Sequence, residues 1–195
     1  CTFSQKDNLA DAIVRIQKEA EIAVRRGKTQ VILSDKEISS ENLPIPMLLC
    51  VGAINTFLTE KKLRGYVSIN VQSGEALDTH SFATLIGVGA TTVNPYLAFD
   101  SLYQRYKKKL FGQFSFDDCV LRYIKSVNAG LLKIMSKMGI SVLSSYRGGC
   151  NFETVGLSRT IVNDYFPGIT SKISGIGLTG IEKKIRGIHK EAFES

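Results

Sequence analysis

The chain has 195 residues, of which 44% are hydrophobic and 22% are charged, and its formal net charge is +7. This length and composition predict one globular domain over residues 1–195, with a hydrophobic core of its own. The sequence has no run of about 18 apolar residues, which excludes a membrane-spanning helix. Its start lacks the basic and apolar parts of a secretory signal, so we expect a cytoplasmic protein.

The positive net charge raises nucleic acid as a partner, because phosphate neutralisation requires clustered Lys and Arg side chains. The basic residues lie instead at three predicted helix ends, 25–28, 61–64 and 107–109, where cations favour the negative end of the helix dipole. We therefore expect neither a nucleic-acid partner nor a membrane partner.

The four cysteines are widely scattered along the chain. Cys1, Cys50, Cys119 and Cys150 form no Cys-x-x-Cys pair, which argues against a zinc or iron–sulfur site. We interpret them as reduced thiols, mostly buried.

Apolar segments alternate with turn residues in a βα pattern. Asp7 or Asn8 can cap a first helix that ends at Gly27, and a terminal helix covers 180–192. Further helices are predicted over 47–58, 79–86 and 117–138, and strands over 30–34, 66–71, 91–93 and 140–143, with an edge strand at 173–176. These spacings imply parallel pairing with right-handed crossovers. The predicted fold class is α/β, a parallel sheet of βα units with helices on both faces, either truncated barrel-like or flavodoxin-like.

One long amphipathic helix stands out before residue 139. Its apolar positions alternate at spacings of four and three, which predicts one buried face: Val120, Ile124, Val127, Leu131, Ile134 and Met138. Gly139 is the predicted stop, with a positive φ. Ile140, Val142 and Leu143 are predicted to form the strand that follows.

Polar side chains follow the predicted strands. In a parallel sheet the carboxyl ends of the strands meet at one edge, which is where open α/β sheets bind ligands. The candidate residues are Ser34, Asp35, Gln72, Ser73, Glu75, His80, Asn94, Tyr96, Ser144, Ser145 and Arg147. Because no base–nucleophile pair stands out, we predict no catalytic residue and interpret this edge as the lining of a channel or a contact between domains.

Two of these residues can also be explained by structural roles alone. Glu75 is expected to act as a helix N-terminal charge, and His80, five residues later and within reach of Glu75, is expected to be structural. The glycines Gly87, Gly89, Gly148 and Gly149 match neither a dinucleotide fingerprint nor a P-loop, so no cofactor is predicted in this chain.

Several blocks carry a family resemblance. They are Lys133–Ser141 (KIMSKMGIS), Ser145–Gly148 (SYRG) and Phe152–Leu157 (FETVGL), with Ser73–Ala76 and Val93–Phe99 upstream. In this order the blocks resemble the central domain of the glutamate synthase large subunit, over roughly Thr2 to Ile181. We therefore interpret the chain as a fragment or stand-alone relative of that domain.

The resemblance implies a role in making glutamate from glutamine and 2-oxoglutarate, a step of nitrogen assimilation. The family's central domain joins the amidotransferase to the synthase domain and helps wall the ammonia tunnel, so the chain is expected to be part of an oxidoreductase without catalysis of its own. FMN and the iron–sulfur cluster are expected only on the synthase domain. The amidotransferase and FMN domains would be partners if they are separately encoded. The alternative is a degenerate stand-alone α/β binding or interaction module that has lost the pathway.

Overall fold

The computed structural model of the protein describes residues 1–149 and 151–193. Within this part of the chain the strands are β1 Thr2–Ser4, β2 Gln30–Ser34, β3 Asn42–Pro44, β4 Ser68–Gln72, β5 Thr92–Asn94, β6 Glu153–Leu157 and β7 Thr170–Ile176. The helices are α1 Leu9–Arg25, α2 Met47–Glu60, α3 Thr79–Gly87, α4 Tyr96–Lys107, α5 Phe116–Lys137, α6 Leu143–Tyr146, α7 Arg159–Tyr165 and α8 Leu178–Phe193. The prediction made for the Cys150 thiol lies outside the described residues.

The main sheet is parallel, with strand order β2-β4-β5. Its strands follow one another in space as they do in the chain, which is the arrangement of a barrel. A second parallel pair joins β6 to β7, and β1 pairs with β3 in antiparallel fashion. The predicted α/β class with parallel sheets, and with helices on both sides, is confirmed.

Helix α2 lies at the centre of the hydrophobic core. It packs on α1, α3 and α7 and on strands β2 and β4. Nine of its fourteen residues are buried, so an almost continuous apolar sequence is explained by contact on several sides. The prediction of a helix buried on more than one side is confirmed.

The two faces of the main sheet are covered unequally. Leu33, Val71 and Val93 are paired across the three strands, and Leu33 and Val71 are buried in the core. On the opposite face the paired residues are Ile32, Asn70 and Thr92, where Ile32 is 67% exposed. We call this second side, with the next row Ser34, Gln72 and Asn94, the open sheet face.

Helix α5 begins where the sequence predicts, because Ser115 and Asp118 form a capping box at its N-terminus. The predicted buried face is confirmed in part, since Val127 is buried and Leu131 and Ile134 pack against the core. Ile124 and Met138, also predicted as core residues, are exposed, and Met135 is buried instead. The reason is that α5 crosses α3 at Gly130, where a Cβ would collide with Thr79, and this close approach selects the facing side chains.

The strand predicted at 140–143 is wrong. Gly139 has φ +70°, and the Ile140 amide donates to the Met135 carbonyl at 2.9 Å, which is a Schellman end of α5. Residues 143–146 then form the short helix α6, whose Tyr146 is fully buried and donates its hydroxyl to the Ala83 carbonyl at 3.1 Å. Burial of this tyrosine beneath α3 outweighs the β-propensity of the preceding apolar residues. The predicted edge strand at 173–176 does form, as part of β7, but β7 pairs with β6.

Gly139 and Gly187 make a matched test of the helix stop. A Cβ would meet no atom within 4 Å at either glycine, but Gly139 has a positive φ and Gly187 lies inside α8. Gly139→Ala should lower the free energy of unfolding by roughly 1–2 kcal/mol, because alanine resists the left-handed region. Gly187→Ala should raise it by roughly 0.5–1 kcal/mol, because alanine favours a helix.

Urea denaturation of the two variants and the parent chain measures both changes. A Gly139→Ala variant as stable as the parent would show that the stop does not depend on glycine.

Candidate functional site

The carboxyl edge of the main sheet brings together polar residues from three strands. Ser34, Gln72 and Asn94 are paired across β2, β4 and β5 at the last residue of each strand. The Ser34 hydroxyl donates to Gln72 Oε1 at 2.8 Å, and the Ser73 amide donates to the Asn94 carbonyl at 3.1 Å. These contacts make one continuous polar row along the edge.

A buried carboxylate clamps the two strand ends beside this row. Asp35 is 2% exposed and Ser73 is fully buried. Asp35 Oδ2 accepts the Ser73 hydroxyl at 2.7 Å and the Gly74 amide at 3.0 Å, and Asp35 Oδ1 lies 3.2 Å from the same amide. The Ser73 oxygen in turn accepts the Glu75 amide at 3.0 Å. Every group of this clamp is therefore satisfied within the fold.

Tyr96 closes the clamp from the start of α4. Burial, together with the hydrogen bond of its hydroxyl to Asp35, raises the pKa of Tyr96 to about 12. The phenol therefore stays protonated and donates to the carboxylate. The Lys36 ammonium lies over the Tyr96 ring, 5.0 Å from its centroid.

Glu75 does not serve the helix that follows it, which corrects the expectation from sequence. Its Oε2 accepts the amide of Met47, the first residue of α2, at 3.0 Å. Pro46 provides no side-chain cap there, so Glu75 caps α2 from a distance in sequence. Burial raises the pKa of the Glu75 carboxyl, and the hydrogen bond from Met47 partly opposes this shift. Helix α3 is capped instead by Asp78, which accepts the Ser81 amide at 2.8 Å.

His80 is exposed on the first turn of α3. Among the described residues no hydrogen bond or ion pair joins it to Glu75. Hydrogen bonds from Ser81 lower the pKa of Asp78, and the nearby His80 adds a smaller effect in the same direction. His80 therefore lies at the exposed start of α3, away from the polar row.

Ser144, Ser145 and Arg147 do not lie at the carboxyl edge. They belong to α6 and its end, because the predicted fourth strand is not formed. Ser144 and Arg147 line a cavity of about 660 Å³ together with Arg64, which precedes β4. This cavity lies beyond the amino ends of the strands, and Ser145 is exposed.

The chemistry of the carboxyl edge is that of a rigid polar surface. The backbone N–H of Gly74 already donates to the Asp35 carboxylate. This turn therefore does not fit a flavin phosphate, which would need free backbone N–H groups. Among residues 1–149 and 151–193 no group of three or more His, Cys, Asp or Glu side chains could hold a metal ion. In the same part of the chain no helix is both long and apolar enough to cross a bilayer.

Sequence reasoning missed the open sheet face and Arg64. A signal for the face exists in β4, where Ser68, Asn70 and Gln72 alternate with the buried Ile69 and Val71. From the sequence, Arg64 is interpreted only as one of the cations at a predicted helix end. Its contacts with distant carbonyl groups depend on the tertiary fold.

The two carboxylates of the edge should respond oppositely to neutralisation. Asp35→Asn should lower the free energy of unfolding at pH 7 by roughly 2–3 kcal/mol, because charge-assisted hydrogen bonds from Ser73 and Gly74 are weakened. Glu75→Gln should leave the chain at least as stable as the parent at pH 7. A carboxyl with a raised pKa stabilises the fold fully only below its unfolded-state pKa, and this contribution is lost as the pH rises through the folded-state pKa.

Urea denaturation at pH 7 and at pH 4 tests both statements. The difference between Glu75→Gln and the parent should shrink at pH 4, where Glu75 is largely protonated in both states. Asp164→Asn, at an exposed position of α7, is the matched control and should change stability by less than about 0.5 kcal/mol. If the Asp35→Asn variant unfolds with the same free energy as this control, the Asp35 clamp does not stabilise the fold.

Comparisons with known proteins agree with this architecture. The chain is 52% identical over 185 residues to the glutamate synthase [NADPH] large chain of Azospirillum brasilense, covering 95% of this chain and 12% of that one. It is 44% identical over 179 residues to the glutamate synthase [NADPH] large chain of Bacillus subtilis, covering 90% of this chain and 12% of that one. A structure of flavocytochrome b2 with sulfite bound superposes with a TM-score of 0.51 at 16% identity, over 68% of this chain and 32% of that one. This likeness shows a truncated barrel-like fold.

The sequence model of the glutamate synthase central domain matches residues 1–158. The chain spans about an eighth of the length of the large chains that it resembles. With the parallel βα sheet and the large-chain relatives, this match establishes that the chain belongs to the glutamate synthase central domain family.

Proposed function

We propose that the chain works as the central domain of a glutamate synthase large chain, linking the amidotransferase and the FMN-containing synthase parts and helping to wall the passage for ammonia between them. The open sheet face carries this proposal. Parallel sheets occur almost only with both faces covered. Here Ile32 is 67% exposed in the middle of β2, so a further part of a larger assembly has a place to pack.

Other surfaces support the same role. On α5, Leu121 and Leu132 are 54% and 64% exposed, and on the β6–β7 sheet the paired residues Val155 and Ile173 are 70% and 61% exposed. Large apolar side chains grouped on separate surfaces are typical of regions that contact other proteins or domains. A domain that connects two others needs more than one such surface.

The polar row is suited to line a passage for ammonia. Ser34, Gln72 and Asn94 present a hydroxyl and two amides, which can exchange hydrogen bonds with ammonia without protonating it. A free carboxylic acid in the passage would protonate ammonia, and the ammonium ion would then stay bound to the carboxylate. The two nearby carboxylates are engaged elsewhere, Asp35 with Ser73 and Gly74, and Glu75 with the amide of Met47.

The chain has no catalytic role of its own in this proposal. The carboxyl edge contains a buried Asp–Ser pair, but Ser73 donates to Asp35 and no histidine bridges them. The chemistry, the FMN and the iron–sulfur cluster belong to the synthase part, and glutamine hydrolysis to the amidotransferase. Both parts would be partners of this domain, within one large chain or as separate proteins.

A chimera tests the proposal. This chain replaces the matching segment of the Azospirillum brasilense large chain, and glutamine hydrolysed is compared with glutamate formed. The chimera should couple the two reactions, and Ile32→Asp in it should raise the amount of glutamine hydrolysed per glutamate, because a charge disturbs the packing over the open sheet face. The isolated chain should form no glutamate from glutamine and 2-oxoglutarate.

Ile22→Asp is the matched control, since Ile22 is 50% exposed on α1. Both substitutions should leave the thermal stability of the isolated chain nearly unchanged. A fully coupled Ile32→Asp chimera, or an Ile22→Asp chimera impaired as strongly, would contradict the proposed role of the face.

A further inference from the structure

The cavity at the amino ends of the strands has the size of a ligand site. Its volume is about 660 Å³, and pockets for small molecules usually measure about 300–1,000 Å³. One wall is apolar and aromatic, formed by Tyr165, Phe166 and Ile169. The lining also carries two arginines from distant parts of the chain, Arg64 and Arg147.

Arg64 is held rigidly at this wall. Its Nε donates to Asn55 Oδ1 at 2.7 Å, Nη1 to the Val67 carbonyl at 2.5 Å and Nη2 to the Gly89 carbonyl at 2.8 Å. All three acceptors are neutral, and no ion pair involves Arg64 among the described residues. The guanidinium therefore keeps its full positive charge uncompensated, with two N–H groups left over from the five that an arginine carries.

Arg147 reaches the same cavity from the end of α6. Its Nε is buried and has no hydrogen-bond partner among the described residues. A buried donor without an acceptor is destabilising, and native structures rarely leave one. The charges of the two arginines also act on each other, since burial first and then Arg147 lower the pKa of Arg64.

The described lining of the cavity has almost no negative charge to balance the two arginines. Glu60, at the end of α2, is the only carboxylate among the described lining residues, and it makes no ion pair with either arginine. A pair of like charges around a cavity is stabilised by a bound anion.

We propose that this cavity binds a small organic anion whose carboxylate or phosphate group accepts hydrogen bonds from the guanidinium groups of Arg64 and Arg147, while its apolar part packs on Tyr165, Phe166 and Ile169. The site lies at the opposite end of the sheet from the polar row. It is therefore separate from the proposed passage for ammonia, and its test does not depend on glutamate synthesis.

Thermal melts of the isolated chain at constant ionic strength, set with chloride, test the site. The probes are inorganic phosphate, phenyl phosphate and succinate. Phosphate or succinate should raise the melting temperature by roughly 5 °C at about 100 times its dissociation constant. Phenyl phosphate should bind more tightly than inorganic phosphate, because its ring reaches the apolar wall. Stabilisation by the phosphates alone assigns a phosphate-bearing ligand, and by succinate alone a carboxylate-bearing one.

Arg147→Met is the decisive variant. It removes one charge and the unsatisfied donor while nearly keeping the volume, so in chloride alone it should be at least as stable as the parent. Its affinity for the effective probe should fall at least about tenfold. Arg26→Met, at the exposed end of α1, is the control and should bind like the parent.

Two results would overturn the proposal. One is a parent chain that no probe stabilises beyond chloride. The other is an Arg147→Met variant that binds the probes as the parent does.

Discussion

The interaction on which the main sheet depends is the Asp35 clamp. One buried carboxylate accepts the Ser73 hydroxyl and the Gly74 amide, and so ties the end of β2 to the turn after β4. Tyr96 extends the tie to α4, and Glu75 extends it to the first turn of α2. Because these bonds lie just beyond the strand ends, they fix the parallel register that places Ser34, Gln72 and Asn94 in one row.

The two faces of the main sheet are covered unequally. Helix α2 and its neighbours cover the Leu33 and Val71 face, whereas the open sheet face keeps Ile32 exposed beside Asn70 and Thr92. This asymmetry explains how a chain with a well-packed core can still leave large apolar side chains exposed. The two ends of the sheet also differ in chemistry, since the carboxyl end carries neutral polar groups and the clamp, and the amino end carries Arg64 and Arg147.

Local signals in the sequence predict much of this architecture. Asn8 caps the start of α1, Gly139 ends α5 with a positive φ, and β2 has the predicted bounds. The failures arise where distant contacts decide. The three-residue strands β1 and β3 form because they pair with each other. Tyr146 is buried under α3 and donates a hydrogen bond to Ala83, so its segment forms a short helix and not a strand. Arg147 consequently lies at the amino end of the sheet and not at the predicted carboxyl edge.

We infer that the open sheet face lies inside a larger enzyme. An experimental structure of a large chain that carries this sequence in place of its own central segment tests it most directly. We expect Ile32, Asn70 and Thr92 to be covered there by another part of the large chain, with Ser34, Gln72 and Asn94 facing a passage at the edge. A structure in which the open sheet face stays exposed to solvent would rule this role out.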